Sequence, residues 1–381
     1  METTPFRIDV PDTVLDDLEA RLANTRYSAA VDGAGWDYGT DRVYLEELCG
    51  YWRDDYDWRR HEASLNAFEQ FTTDIDGERV HFLHVRSPVD SAFPLLLTHG
   101  WPGSVAEFLK VLGPLTDPLA HGGDAADAFH VVAPSLPGYG FSGPTHRKGW
   151  DSRRVAAAWA QLMAGLGYER YGAQGGDWGA LVSTQLALLD PDRCRGLHLN
   201  MVVAGPPPGD DMSGLSAGDQ RGLADMAYYM EHESGYAKIQ QTRPQSVGYG
   251  LDDSPAGLAA WIVEKFRSWS DCGGDVERSF TKDELLTNVM LYWVTNTAAS
   301  SARLYYETTK SGRFGPGNER VTVPTACAVF PRELFRPPRA WAERSFNLKR
   351  WTEMPRGGHF AAMEEPELLV DDVRAFFREV R

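Results

Sequence analysis

Along this chain the spacing of apolar residues switches repeatedly between helical and strand-like, and the switches mark out the elements. From Pro11 to Tyr27, Val14, Leu15, Leu18 and Leu22 fall at helical spacing behind Asp12 and Thr13, either of which can cap a helix. Between Trp36 and Phe71 aromatic residues are dense but follow no single period. This stretch is expected to wrap another domain, its aromatics serving as anchors. Thr72 to Val85 alternates like a β-hairpin turning at Asp76-Gly77, with Val80, Phe82 and His84 on one face. Phe93 to Thr98 and Phe129 to Pro134 are short apolar runs of the kind that form buried parallel strands. A helix is predicted over Arg153 to Leu166, followed by a strand at Tyr171 to Gln174. That strand is assigned from the motif after it, because its own β propensity is poor.

Leu197 to Val203 resumes the strand pattern and runs into Gly205-Pro206-Pro207-Pro208-Gly209-Asp210, a breaker cluster that marks a boundary. From there to about Gly312 the pattern is helical. Strands return at Val321 to Phe330 and near Trp351 to Met354, before a last helix over Pro366 to Val380. Alternating strands and helices, interrupted once by a helical block, predict an α/β fold: a mostly parallel sheet flanked by helices, with a helical cap and an N-terminal meander. The expected division is 1–90 for the meander, 91–208 and 313–381 for the two parts of the core, and 209–312 for the cap. The 381 residues exceed the roughly 250–300 at which one core stops growing, which agrees with an inserted block.

Charge narrows the partners. With 38 Lys and Arg against 54 Asp and Glu, the formal net charge of -16 argues against nucleic acid and against an anionic membrane surface. An uncharged small molecule suits it better. Four cysteines are scattered without metal-site or disulfide spacing, as in a reducing compartment. The start of the chain lacks the basic and apolar regions of a leader, and no run of 18 apolar residues occurs. A soluble, cytoplasmic protein is therefore expected.

The chemistry centres on Gly175-Gly176-Asp177-Trp178-Gly179, directly before the apolar run Ala180 to Leu189. A glycine two residues before and another two after a reactive side chain is the spacing of the α/β-hydrolase nucleophile elbow, with Asp177 where serine usually stands. The same residues also fit a Gly-rich loop with a helix-capping aspartate. Order along the chain favours the elbow: Asp177, then Glu333 after another strand, then His359 in Gly357-Gly358-His359 before the last helix, which is the nucleophile, acid, histidine order of such triads. His99-Gly100-Trp101-Pro102 follows an earlier strand, where one oxyanion-hole N–H should come from Trp101; the other should come from Trp178.

With these residues in hand, the sequence resembles the epoxide hydrolases of the microsomal and juvenile-hormone type over almost its whole length. The likeness includes Trp36-Asp37-Tyr38-Gly39-Thr40, Tyr56-Asp57-Trp58-Arg59, His99 to Ser104, the elbow, Thr287 to Trp293 and Gly357 to Ala362. The membrane anchor of the microsomal enzymes is not matched in this chain. The resemblance implies two cap tyrosines that bind the epoxide oxygen, matched to Tyr236 and to Tyr305, with Tyr306 the nearest rival of the second. It implies that Asp177 opens the epoxide to a covalent ester, that His359 oriented by Glu333 activates the water that hydrolyses it, and that no metal or organic cofactor takes part. His99, Trp101, Trp178 and Trp293 are candidates for substrate contact, and Tyr228, Tyr229, Trp261 and Trp269 add aromatic bulk suggesting an aryl or otherwise bulky epoxide. The setting is either detoxification or carbon use, or tailoring of a secondary metabolite such as a polyketide or enediyne; a homodimer is admitted. Two other readings compete, a haloalkane or haloacid dehalogenase with the same triad, and a catalytically silent binding protein on this fold. Cap tyrosines distinguish the first, since halide departure needs no proton donor, and loss of a triad member would mark the second.

Overall fold

The computed structural model describes residues 1–207, 209 and 212–381. Pro208 and Asp210 of the breaker cluster, and with Pro208 the expected boundary between core and cap, lie outside the described residues. Strand β1 (Thr4–Phe6) and helix α1 (Asp12–Ala23) begin the chain, α1 burying Leu18 and Leu22. The aromatic stretch then contains two helices that periodicity did not disclose, α2 (Arg42–Asp54) and α3 (Trp58–Leu65). Both start at an aspartate whose side chain accepts a first-turn N–H, Asp41 from Tyr44 and Asp57 from Arg60. The caps, more than the spacing of the aromatics, announce these helices.

The hairpin is β2 (Gln70–Ile75) and β3 (Glu78–Val85), turning at Asp76-Gly77 as expected. Next come β4 (Phe93–Thr98), α4 (Leu109–Thr116), β5 (Phe129–Pro134), α5 (Ser152–Gly165), β6 (Tyr171–Gly175), α6 (Asp177–Leu189) and β7 (Cys194–Leu199). The last of these ends at Leu199, four residues short of the predicted end. A helical block follows: α7 (Ala217–Tyr228), α8 (Gly235–Thr242), α9 (Pro244–Asp253), α10 (Pro255–Trp269), α11 (Lys282–Trp293) and α12 (Ala298–Ser311). The chain closes with β8 (Val321–Val329), α13 (Arg339–Ser345), β9 (Phe346–Glu353), a short α14 (Ala361–Glu364) and α15 (Pro366–Val380).

The strands form one nine-stranded sheet in the order β1-β2-β3-β5-β4-β6-β7-β8-β9. Pairing is antiparallel from β1 to β5 and parallel from β5 to β9. This is an α/β-hydrolase fold. From β4 the chain steps to β5 on one side and later to β6 on the other, so the loops leaving β4 and β6 diverge across the crevice where open α/β sheets take ligands. On the two faces α5 packs with α6, and α4 with α15. The weak β propensity of Tyr171-Gly172-Ala173-Gln174-Gly175 has a packing cause. A Cβ on Gly172 would lie 2.3 Å from the Phe377 ring of α15, so the central strand trades propensity for close contact with a helix.

The N-terminal segment joins sheet and cap. Its β1 pairs with β2, while Arg21 donates to the Asp253 carbonyl at 2.7 Å, Thr40 to the Ala260 carbonyl at 2.7 Å and the Tyr51 hydroxyl to Asp283 at 2.8 Å. No helix among the described residues is long and apolar enough to cross a membrane.

Candidate active site

Backbone geometry sets the position of the candidate nucleophile. Asp177 follows β6 at once and adopts φ +47°, a left-handed conformation that a non-glycine residue keeps only under constraint. The flanking glycines supply the constraint: a Cβ on Gly175 would fall 2.3 Å from the Gly179 carbonyl, and one on Gly179 would fall 1.8 Å from the Thr98 carbonyl oxygen. Strand and helix therefore touch where any side chain would part them. Capping is not what Asp177 does, since Gly176 holds the N-cap position of α6 without a side-chain bond. Its Oδ1 instead accepts the Trp101 N–H at 2.8 Å. Gly100 lets the two loops meet this closely, because a Cβ there would lie 2.2 Å from Asp177 Oδ1. The Trp178 N–H belongs to the first turn of α6, where backbone donors have no partner within the helix.

The structure brings the other two members to this point. Glu333 lies just past β8 and His359 just before α14, and an isolated bridge between Arg332 and Gly358 holds the two loops side by side. His359 Nδ1 is 2.8 Å from Glu333 Oε1, and His359 Nε2 is 3.3 Å from Asp177 Oδ2. All but Asp177 are essentially out of water, and even the Asp177 side chain is only 18% exposed. The His359 N–H donates to the Trp269 carbonyl at 3.0 Å, so the end of α10 fixes this histidine from the cap side. Burial alone would lower the His359 pKa. Glu333 and Asp177 outweigh it and hold the imidazole well above its ordinary value.

Opposite the carboxylate stand the two cap tyrosines, both buried. Tyr236 on α8 stacks on Trp101 with ring centres 4.9 Å apart, and Tyr305 on α12 meets Trp178 edge-on at 4.6 Å. Their own ring centres are 5.9 Å apart. Burial raises both phenols well above 10, so each keeps its proton to give. The rival Tyr306 points elsewhere, 5.4 Å from Lys310 across its ring.

Two of the expected substrate contacts, His99 and Trp293, are engaged with the protein itself. His99 spends both ring nitrogens on backbone, Nδ1 on the Gly100 carbonyl at 2.9 Å and Nε2 on the Leu136 N–H at 3.1 Å. Burial lowers its pKa to about 4. It is thus a neutral brace for the loop, with both ring nitrogens engaged. Trp293 packs beside Arg21 of α1, 5.8 Å from the guanidinium carbon to the ring centre, and takes no part in the aromatic cluster around Asp177. The sequence reading had no basis for telling which face of α11 points inward.

Two polar contacts escaped it, one from Tyr229, which it named only for aromatic bulk, and one from Glu107. The Tyr229 hydroxyl lies 2.9 Å from that of Tyr236, brought there by a π-helical turn over Tyr229–Glu233 that inserts an extra residue before α8. Glu107, in a 3₁₀ turn over Val105–Phe108, reaches the same cavity as Asp177 and His359. A lone acid among Val105, Ala106 and Phe108, directly after the His99 loop, was the available signal. Among the described residues, no group of three or more His, Cys, Asp or Glu could hold a metal ion.

The family described as epoxide hydrolase N terminus matches residues 3–108, and that described as alpha/beta hydrolase fold matches residues 94–233. A protein of Stigmatella aurantiaca (strain DW4/3-1) named "Putative epoxide hydrolase" is 51% identical over 99% of this chain and 85% of its own. Epoxide hydrolase 1 of Oryctolagus cuniculus is 39% identical over 98% of this chain and 88% of its own. The crystal structure of juvenile hormone epoxide hydrolase from the silkworm Bombyx mori superposes with a TM-score of 0.92 at 33% identity, covering 99% of this chain and 94% of that one.

Proposed function

The chain belongs to the epoxide hydrolase family, and from that premise we propose that it opens a bulky, aromatic epoxide to a vicinal diol through a covalent ester on Asp177. The observation that carries this is the placement of the Asp177 carboxylate: Oδ1 is held by the Trp101 N–H at 2.8 Å, while Oδ2 lies 3.3 Å from His359 Nε2. Oδ2 attacks a ring carbon and the carbon–oxygen bond breaks. The departing oxygen takes a proton from Tyr236 or Tyr305. The ester carbonyl is then Asp177 Oδ1, already in the oxyanion hole formed by Trp101 and Trp178.

The second half follows from charge. In the resting site the imidazolium of His359 lies between two carboxylates, and esterification removes the nearer charge of Asp177. The support that raised the imidazole falls away, the proton passes on to the phenol that gave one up, and His359 becomes a base. It takes a proton from water as the water oxygen bonds to Asp177 Cγ. Collapse breaks the Cγ–O bond to the substrate, the alcohol oxygen takes the proton from His359, and the Asp177 carboxyl left behind gives its own proton back to the imidazole. Glu333 holds the ring and balances its charge throughout.

In this proposal residues 91–208 and 313–381 supply nucleophile, acid and base, 209–312 supply the phenols, and 1–90 bind the two together. Trp101, Trp178 and Trp269 favour an aryl substrate, and tailoring of a bulky secondary metabolite rests on that aromatic lining. Two buried, protonated phenols favour an alkoxide leaving group over a halide, which needs neither. A single turnover in heavy-oxygen water, followed by peptide mass spectrometry, tests the reading. The label is expected in the Asp177 peptide, and its appearance only in the diol would refute a covalent ester.

A further inference from the structure

Beside Asp177 and His359, on the core side, lies a partly open cavity of about 20 Å³ measured as space open to the centre of a water. That is room for one water, since a single molecule needs roughly 10–15 Å³ by this measure together with two to four polar partners. The walls supply them. Besides the two triad members they include the side chains of Thr98, Glu107, Gln174 and Asn200. Gln174 and Asn200 bond each other at 2.8 Å. Thr98, which lines the cavity, is 1% exposed and its hydroxyl is a buried donor with no protein partner. Glu107 lines the cavity and is half-buried. It reaches there only because residue 103 is glycine, where a Cβ would lie 1.5 Å from Glu107 Oε1.

We propose that this cavity is the seat of the hydrolytic water and that Glu107, aided by Thr98, is the positioning residue that aims it at the Asp177 ester. The assignment rests on the covalent-ester reading above. The water would give one proton to His359 Nε2 and its other hydrogen as a bond to the Glu107 carbonyl oxygen, leaving an oxygen lone pair directed at Asp177 Cγ. Nothing beyond water and ester is consumed. Burial, opposed by the neighbouring His359 charge and reinforced by Asp177, pushes the Glu107 carboxyl up to about 8, so at neutral pH it is an uncharged acid that holds water without competing with His359 for the proton. The plain alternative is a brace for the oxyanion loop, because Glu107 also takes backbone hydrogen bonds from Ser104 and Gly100.

Single-turnover kinetics on styrene oxide, following ester formation and decay by intact mass, separates the two roles. Glu107→Leu should open the ring at close to the wild-type rate and accumulate ester, with decay slowed on the order of 100-fold, the lower end of what a positioned proton-transfer partner contributes. Glu107→Gln matches the uncharged acid in shape and carbonyl, and should restore most of the decay rate. Thr98→Val, nearly isosteric, should slow decay alone. Unchanged decay in Glu107→Leu and Thr98→Val would overturn the proposal, as would equal slowing of both steps in all three variants, the signature of a disturbed Trp101 loop. Failure of the wild-type enzyme to form any Asp177 ester would instead remove the reading on which it rests.

Discussion

Glu333→Gln should separate the two halves of the reaction, because the two carboxylates flanking His359 are not present at the same time in both. Before reaction the imidazolium has Glu333 at 2.8 Å and Asp177 at 3.3 Å. Once Asp177 is esterified only Glu333 remains, so the imidazolium formed during water attack depends on it alone. A hydrogen bond to a charged group contributes about 1.5–3 kcal/mol, and each 1.36 kcal/mol is tenfold in rate. Ester hydrolysis should therefore slow by about 10- to 150-fold. Ring opening should change little, since glutamine keeps an acceptor for His359 Nδ1 and the ring stays aimed. The sign of the pH effect is also fixed. Glu333 is one of the charges that raise His359, so its loss lowers the imidazole pKa and shifts the acidic limb of hydrolysis to lower pH. Stopped-flow tryptophan fluorescence suits the measurement, because Trp101 and Trp178 adjoin the reacting groups, with intact mass confirming the accumulated ester. Hydrolysis at the wild-type rate, or equal slowing of both steps, would refute the assignment of Glu333 as the orienting acid.

Tyr236→Phe and Tyr305→Phe should each slow ring opening, and the double variant should lose on the order of 10²- to 10⁴-fold while remaining folded; a pre-steady-state burst at the wild-type rate in the double variant would make the phenols packing residues. Gly100→Ala would place its Cβ 2.2 Å from Asp177 Oδ1, so ring opening should collapse even though the thermal melt shows a folded protein. Glu107 has a folded pKa raised to about 8 from 4.5, and such a group contributes stability that is complete below the unfolded value and lost as pH rises through the folded one. The Tm of Glu107→Gln should accordingly improve relative to wild type as pH rises from 5 to about 8, and an unchanged difference in circular-dichroism melts across that window would contradict the shift.

The parts of this molecule legible in its sequence are those where one local requirement dominates. The runs Phe93–Thr98 and Phe129–Pro134 are buried strands at the predicted residues, because strands covered on both faces must be apolar throughout. Asp177 was visible through its glycines, which record how near Gly179 comes to Thr98. What stayed hidden depends on tertiary arrangement. Helices α2 and α3 each bury one stripe, Leu48, Cys49 and Trp52 in the first and Trp58, Glu62 and Leu65 in the second, but half-buried aromatics such as Tyr44 and Tyr51 blur it, and Asp41 and Asp57 signalled the starts more plainly. The surroundings of His99 and Trp293 stayed hidden for the same reason: a motif names residues near a site without saying which atoms are already engaged. Tyr229 and Glu107 lie outside the quoted motifs, and only the fold shows that their polar ends converge on the reacting groups.

The bond between Arg21 and the Asp253 carbonyl joins partners 232 residues apart, which bears on how the chain is made. At 5–20 residues per second, a ribosome delivers Asp253 about 10 to 50 s after Arg21. Through that interval α1 and α2 have emerged without the cap helices they pack on, and Trp52 has no Met290 to meet. Their apolar faces must wait uncovered, so this segment is where a holding chaperone would be needed and where slowed translation of the cap would be felt first.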